Sequence, residues 1–93
     1  MRFQWDPNKN LVNIKKHKIS FEEAKTVFYD DNARLIPDPE HSVTEERFII
    51  LGITNKLRLL IVVHTYKEND DVIRIISARK VTKAESKYYY EVK

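Results

Sequence analysis

The chain has no cysteine, a single glycine and three prolines in 93 residues, and nowhere does it run apolar for long. Each absence excludes something. Without cysteine there is no disulfide staple, no thiolate zinc or iron–sulfur site and no thiol nucleophile, and the lack fits a reducing compartment. A single glycine cannot build either glycine-rich phosphate loop, G-x-x-x-x-G-K-[ST] or G-x-G-x-x-G. So few glycines and prolines leave no flexible linker and no low-complexity tract. No segment approaches the ~20 apolar residues of a membrane-spanning helix, and the first eighteen residues hold no apolar signal core. The chain reads as a soluble, cytoplasmic protein without a membrane partner. Its length allows one domain over residues 1–93, with a modest core that buries about 60% of the unfolded surface.

What is present is charge, unevenly placed. Lys and Arg number 17 against 14 Asp and Glu. Residues 1–20 carry five basic residues and one acid, residues 21–46 two and eight, and residues 47–93 ten and five. The net charge of +3 thus hides a basic start, an acidic middle and a basic end. Such a division suits a basic face for a polyanion. The acidic stretch from Glu22 to Glu46 is an edge facing either a partner protein or solvent.

The periodicities give the order β-α-α-β-β-β-β-α. Arg2 to Trp5 alternates as a short strand. Asp6-Pro7 caps and opens a helix running to about Lys16, with Leu11 and Ile14 as its narrow inner stripe. Ser20 with Glu23 forms a capping box, and Phe21, Ala24, Val27 and Phe28 follow at helical spacing to about Asp30. Ala33 to Ile36 is a short strand, and Pro37 to Thr44 a loop. Arg47 to Thr54, Leu57 to Tyr66 and Val72 to Arg79 are β-branched runs joined by short polar spacers, the mark of an antiparallel meander. Thr82 and Glu85 form a second capping box ahead of a short helix bearing Tyr88, Tyr89 and Tyr90, a run that either stacks bases or packs the helix onto the sheet through one or two of its rings. Helices segregated from a run of strands define an α+β fold.

Several residues can carry chemistry. In the second long strand, Leu60, Val62, His64 and Tyr66 share a face, which puts His64 and Tyr66 side by side at a sheet edge. His64 is either a general acid or base or a hydrogen-bonded rim histidine. Arg74 sits inside an apolar strand, where a charge is costly unless it is paired or faces a cleft; a salt bridge to Glu45, Glu46 or another acid competes with a phosphate-binding role. Arg79 lies five residues on, and a regular strand would turn it to the opposite face. The two converge only if the strand bends, bulges or ends between them. Lys15-Lys16-His17-Lys18 is a basic cluster that either holds a phosphodiester backbone or complements a helix dipole. The three histidines, His17, His41 and His64, show no metal-ligand spacing.

Taken together, Trp5-Asp6-Pro7 with Lys9 and Asn13, Lys16-His17, Phe21-Glu22-Glu23-Ala24, Val27-Phe28, His41-Ser42, Glu45-Glu46-Arg47, Gly52, Val62-Val63 and Arg74-Ile75-Ile76-Ser77-Ala78-Arg79 resemble the BrnT family of bacterial type II toxins over nearly the whole chain. The resemblance implies a RelE-like fold, with two helices on a mainly antiparallel sheet and a further terminal helix. It implies a metal-independent ribonuclease that blocks translation and needs no cofactor. A BrnA-like ribbon-helix-helix antitoxin would neutralise it and bind operator DNA with it. One position departs from the family pattern: Lys-His-Gly between the helices reads Lys16-His17-Lys18 here. If the bend is left-handed, lysine in place of glycine costs about 1 kcal/mol.

Metal-free cleavage lets the ribose 2′-OH attack the neighbouring phosphate, so the nucleophile belongs to the substrate. A base, an acid and cations around the charged phosphorane complete the needs. Arg74 and Arg79 are the expected phosphate stabilisers, His64 and His17 the acid/base candidates, and Lys15, Lys16, Arg47 and Tyr66 the RNA-holding residues. RelE-like enzymes often lack a free-standing acid/base pair, so two histidines are not required. The rival is a non-enzymatic RelE-like module that docks a partner protein and operator DNA, favoured if either arginine is tied up in a salt bridge. A metal hydrolase would need the three histidines to converge.

Overall fold

The computed structural model describes residues 1–37 and 46–91. His41 and, Pro37 apart, the expected loop lie outside the described residues. The elements are β1 (Arg2–Gln4), α1 (Pro7–His17), α2 (Phe21–Ala24) continuing as a 3₁₀ segment (Lys25–Tyr29), β2 (Arg34–Pro37), β3 (Phe48–Ile53), β4 (Leu59–Lys67), β5 (Val72–Lys80) and α3 (Lys83–Tyr90). The strands form one sheet in the order β1-β5-β4-β3-β2, antiparallel except where β1 lies parallel to β5. The expected α+β order holds throughout.

The sheet has two unequal faces. Ile50, Leu60, Val62, Ile73, Ile75 and Ala78 point to one face and pack against Ile19 of the α1–α2 link and Phe21, Ala24 and Val27 of the following helical segments. The other face carries a smaller cluster, Leu51 and Ile61 under Tyr89 of α3. Gly52 faces the helical layer. A Cβ there would lie 3.2 Å from the Cβ atoms of Val27 and Ala33, so glycine lets the 3₁₀ segment approach β3 closely.

The inner stripe of α1 is not the expected one. Leu11 is 63% and Ile14 37% exposed, while Asn13 is 6% exposed. The Asn13 amide donates to the carbonyls of Ile19 and Ala78, both at 2.9 Å, and its Oδ1 accepts from the Ala78 N–H at 3.1 Å. Its side chain thereby stands in for a neighbouring strand at the edge of β5, satisfying backbone groups that would otherwise be orphaned. Apolar periodicity cannot detect a helix docked through an amide.

The caps follow the sequence, with one correction. Asp6 accepts from the Asn8 N–H, and Thr82 with Glu85 makes a complete capping box. Ser20 accepts from the Glu23 N–H, but the Glu23 carboxylate turns instead to the Thr54 hydroxyl and the Arg58 guanidinium. The bend after α1 is left-handed, with Lys18 at φ 62° and ψ 31° and its N–H bonded to the Ile14 carbonyl.

Candidate nucleic-acid interface

The pairing of β4 with β5 slips by one residue: Val63 stands opposite Ser77, but His64 stands opposite Ile75, leaving Ile76 as the extra residue of a β-bulge. The bulge cancels the odd spacing between the arginines. Arg74 pairs with Thr65 and Arg79 with Ile61. Thr65 and Ile61 are four residues apart on one strand and so share a face. Arg74 and Arg79 therefore both project from the face away from α1 and α2, about 13 Å apart along the sheet. They are neighbours on one face, not a preformed fork.

Around Arg74 the same face is polar. Gln4 is its partner on β1, and one residue beyond the paired stretch of β3, Arg47 continues the register opposite Thr65. The row Gln4, Arg74, Thr65, Arg47 thus crosses four strands at about 4.8 Å per step. Among the described residues Arg74 has no hydrogen-bond or ion-pair partner, and the Arg47 Nε is buried with none. Sequence reading named Arg47 and Arg74 but missed Gln4 and Thr65, because membership of a cross-strand row depends on register.

Arg79 differs from Arg74. Its guanidinium makes two hydrogen bonds to the Glu85 carboxylate of α3, at 2.9 and 2.8 Å, with the arginine side chain 41% exposed. The pair raises the Arg79 pKa and holds the Glu85 carboxyl down to about 2. A phosphate reaching Arg79 competes with that carboxylate.

His64 and Tyr66 are adjacent as expected, with His64 Nε2 3.3 Å from the Tyr66 hydroxyl. The expected edge position is corrected, because β4 is the middle strand. His64 is wholly buried, with the Phe28 ring at 4.9 Å and the Phe48 ring at 6.2 Å. Burial lowers its pKa and keeps it neutral. It is a core residue out of reach of a phosphodiester on the opposite face. Tyr66 is half-buried, its pKa raised by burial and by Asp70, and lines a cleft with Phe48 and Lys67.

The basic cluster of α1 is elsewhere again. Lys15 and Lys16 are exposed and His17 is half-buried at the end of the helix. Lys16 and His17 line a cleft with Ile76 and Ser77, beyond the outer edge of β5. The structure thus gathers Arg47, Arg74 and Arg79 on one sheet face, sets Lys15, Lys16 and His17 around the β5 edge, and buries His64. Among the described residues no three His, Asp or Glu side chains are grouped to hold a metal ion.

Two polar groups unforeseen from sequence hold the frame. Glu23, 4% exposed, pairs with Arg58, which lowers the carboxyl's pKa and raises that of Arg58. Asp30 accepts from the Tyr89 hydroxyl at 2.6 Å and from the Ile53 N–H at 2.8 Å. Burial raises the Asp30 pKa, but these bonds outweigh it and leave the group lowered. The Tyr89 hydroxyl, pushed up by burial and by Asp30, titrates at about 12.

A mainly antiparallel five-stranded sheet, with α1 and α2 over one face and arginines beside α3 on the other, is a small α+β fold with which the RelE-like description is compatible. A family model described as ribonuclease toxin, BrnT, of type II toxin-antitoxin system matches residues 5–85, and the chain belongs to that family. It is accordingly a ribonuclease toxin with an RNA target and an antitoxin as partner. The crystal structure of the Brucella abortus ribonuclease toxin BrnT is similar, at 22% identity and TM-score 0.69 over 89% of this chain and 99% of that one, a likeness of fold. No curated protein matches the sequence.

Proposed function

We propose that the protein is a metal-independent endoribonuclease that blocks translation in the bacterial cytoplasm. The ribose 2′-OH attacks the adjacent phosphorus, the bond to the 5′-oxygen of the next nucleotide breaks, and that oxygen takes a proton. Arg74 and Arg79 stabilise the phosphorane charge as bidentate donors. Arg47, Lys15 and Lys16 hold the flanking backbone; Tyr66 shares the covered face with His64, so its ring serves only a base carried round the end of the sheet into the cleft beside Phe48. His17 is the acid/base group, since His64 is buried and neutral. A BrnA-like ribbon-helix-helix antitoxin neutralises the toxin, and the pair binds operator DNA. No helix of the described residues is long and apolar enough to cross a membrane, which accords with this setting.

The observation that carries the reading is the bulge at Ile76, which turns Arg74 and Arg79 to one face. Induction of the protein alone in bacteria, beside Arg79→Ala, tests it. Arrested growth with fragmented RNA is expected for the wild type and relief for the variant; normal growth with intact RNA overturns the toxin reading, and cleavage abolished by EDTA overturns the metal-free mechanism. The Arg79–Glu85 pair favours the second reading, a module that binds its partner and operator DNA without cleaving RNA. Purified protein that binds RNA and leaves it whole would decide for that reading.

A further inference from the structure

β1 is three residues long and β5 nine, and their pairing stops at Arg74. Beyond that point α1 lies along the outer edge of β5, clamped by the Asn13 amide to Ala78. Between helix and edge is a cleft of about 300 Å³, with Lys9, Lys16 and His17 on one wall and the bulge residues Ile76 and Ser77 on the other. Lys9 and Lys16 are seven residues apart, hence two turns and about 10.5 Å along the same side of α1. Neither has an acidic partner among the described residues.

The lining sets this cleft apart. Four other clefts among the described residues each include a carboxylate: Glu46 and Asp70, Asp30, Glu85, or Glu22 and Glu23. The α1–β5 cleft has none and holds three basic side chains. Ser77 also links it to the arginine face, because Ser77 stands opposite Val63 on the same side of the sheet as Arg79.

We propose that the α1–β5 cleft is a phosphate-binding subsite for single-stranded RNA, with one backbone phosphate at Lys9 and another at Lys16. RNA leaving the arginine face passes the bulge and enters the cleft. The contacts are to phosphates, so the subsite adds affinity without sequence preference. Asn13 acts as a positioning residue by fixing the helix that presents both lysines. The proposal rests on the ribonuclease reading and extends it to the flanking chain.

The test uses the purified full chain and a fluorescent 2′-O-methyl oligoribonucleotide, which cannot be cut through its 2′ position. Binding is measured by anisotropy across a salt series for the wild type, for Lys9→Ala with Lys16→Ala, and for Lys56→Ala with Lys87→Ala as an exposed control pair. Loss of two phosphate contacts makes the plot of log affinity against log salt shallower by about 1.4, while the control pair keeps the wild-type slope. A wild-type slope in the Lys9/Lys16 variant, or an equal loss in the control, overturns the subsite. If the wild type cleaves RNA but the slope is unmoved, only the subsite falls; if the wild type neither binds nor cleaves RNA, the ribonuclease reading falls first.

Discussion

The two faces of the sheet differ in how completely their polar groups are engaged. On the helix-covered side every buried polar side chain is engaged: Asn13 with Ile19 and Ala78, Glu23 with Arg58 and Thr54, and His64 with Val62 and Tyr66. On the open side Arg79 is held by Glu85 and Thr65 by the Glu46 carbonyl, but Arg74 has no partner among the described residues and the Arg47 Nε is buried without one. An unpaired buried donor costs about 1–3 kcal/mol, a cost that an anion reaching the Arg47 Nε would recover. The contrast separates residues that hold the frame from cations that the fold leaves available.

The largest expected effect lies on the open face. Arg74→Ala should lower kcat/KM for RNA by about 10²–10³, the loss typical of one donor to a developing oxyanion. Its unfolding free energy should move by less than about 0.5 kcal/mol, since no protein partner is lost. Cleavage kinetics and urea unfolding of the same preparation check both halves. A large stability loss with little kinetic change would place Arg74 among the frame residues and collapse the comparison.

Arg58→Ala should show the reverse pattern. It strands the Glu23 carboxylate, 4% exposed, and should cost about 3 kcal/mol in urea unfolding. The protein that remains folded should cleave RNA at the wild-type rate, because Arg58 belongs to the covered side.

His64 sharpens the same division through pH. Burial holds its folded pKa below 6.5, so the unfolded chain binds the proton first. Its contribution to stability is complete above pH 6.5 and is lost as the pH falls through that value toward the folded pKa. The lowered carboxyls of Glu23, Asp30 and Glu85 start from 4.5 or below, so their losses come at more acid pH. Unfolding free energies across this range should slope for the wild type and lie nearly flat for His64→Gln, whatever that variant's absolute stability. An unchanged slope in the variant would place the titrating group elsewhere.

Much of this division was legible in the sequence, and the exceptions share a cause. Alternation gave the strands and their faces, the capping residues gave the helix starts, and the charge blocks located the basic segments. The convergence of Arg74 and Arg79 was conditional on a bulge, because a strand's faces alternate only while its register is unbroken. Asn13 and the Glu23–Arg58 pair were unforeseen because polar groups that dock elements leave no apolar period. His64 was placed at a rim because a face is readable from one strand, whereas a strand's place in the sheet depends on its neighbours.

The smallest effect concerns the hinge between the basic helix and the covered core. Lys18 adopts φ 62°, where a Cβ crowds the following carbonyl and costs about 1 kcal/mol. Its side chain makes no bond that offsets this among the described residues. Its backbone N–H donates to Ile14 and its carbonyl accepts from Arg58, and glycine keeps both. Lys18→Gly should therefore raise the unfolding free energy by about 1 kcal/mol, less a smaller loss from the freer unfolded chain. Lys18→Ala retains the Cβ and should stay near the wild type. Urea unfolding of the two variants at one pH separates a backbone origin from a charge origin: if alanine stabilises as much as glycine, the relief comes from removing a cation at the crowded basic end of α1 and not from the left-handed bend.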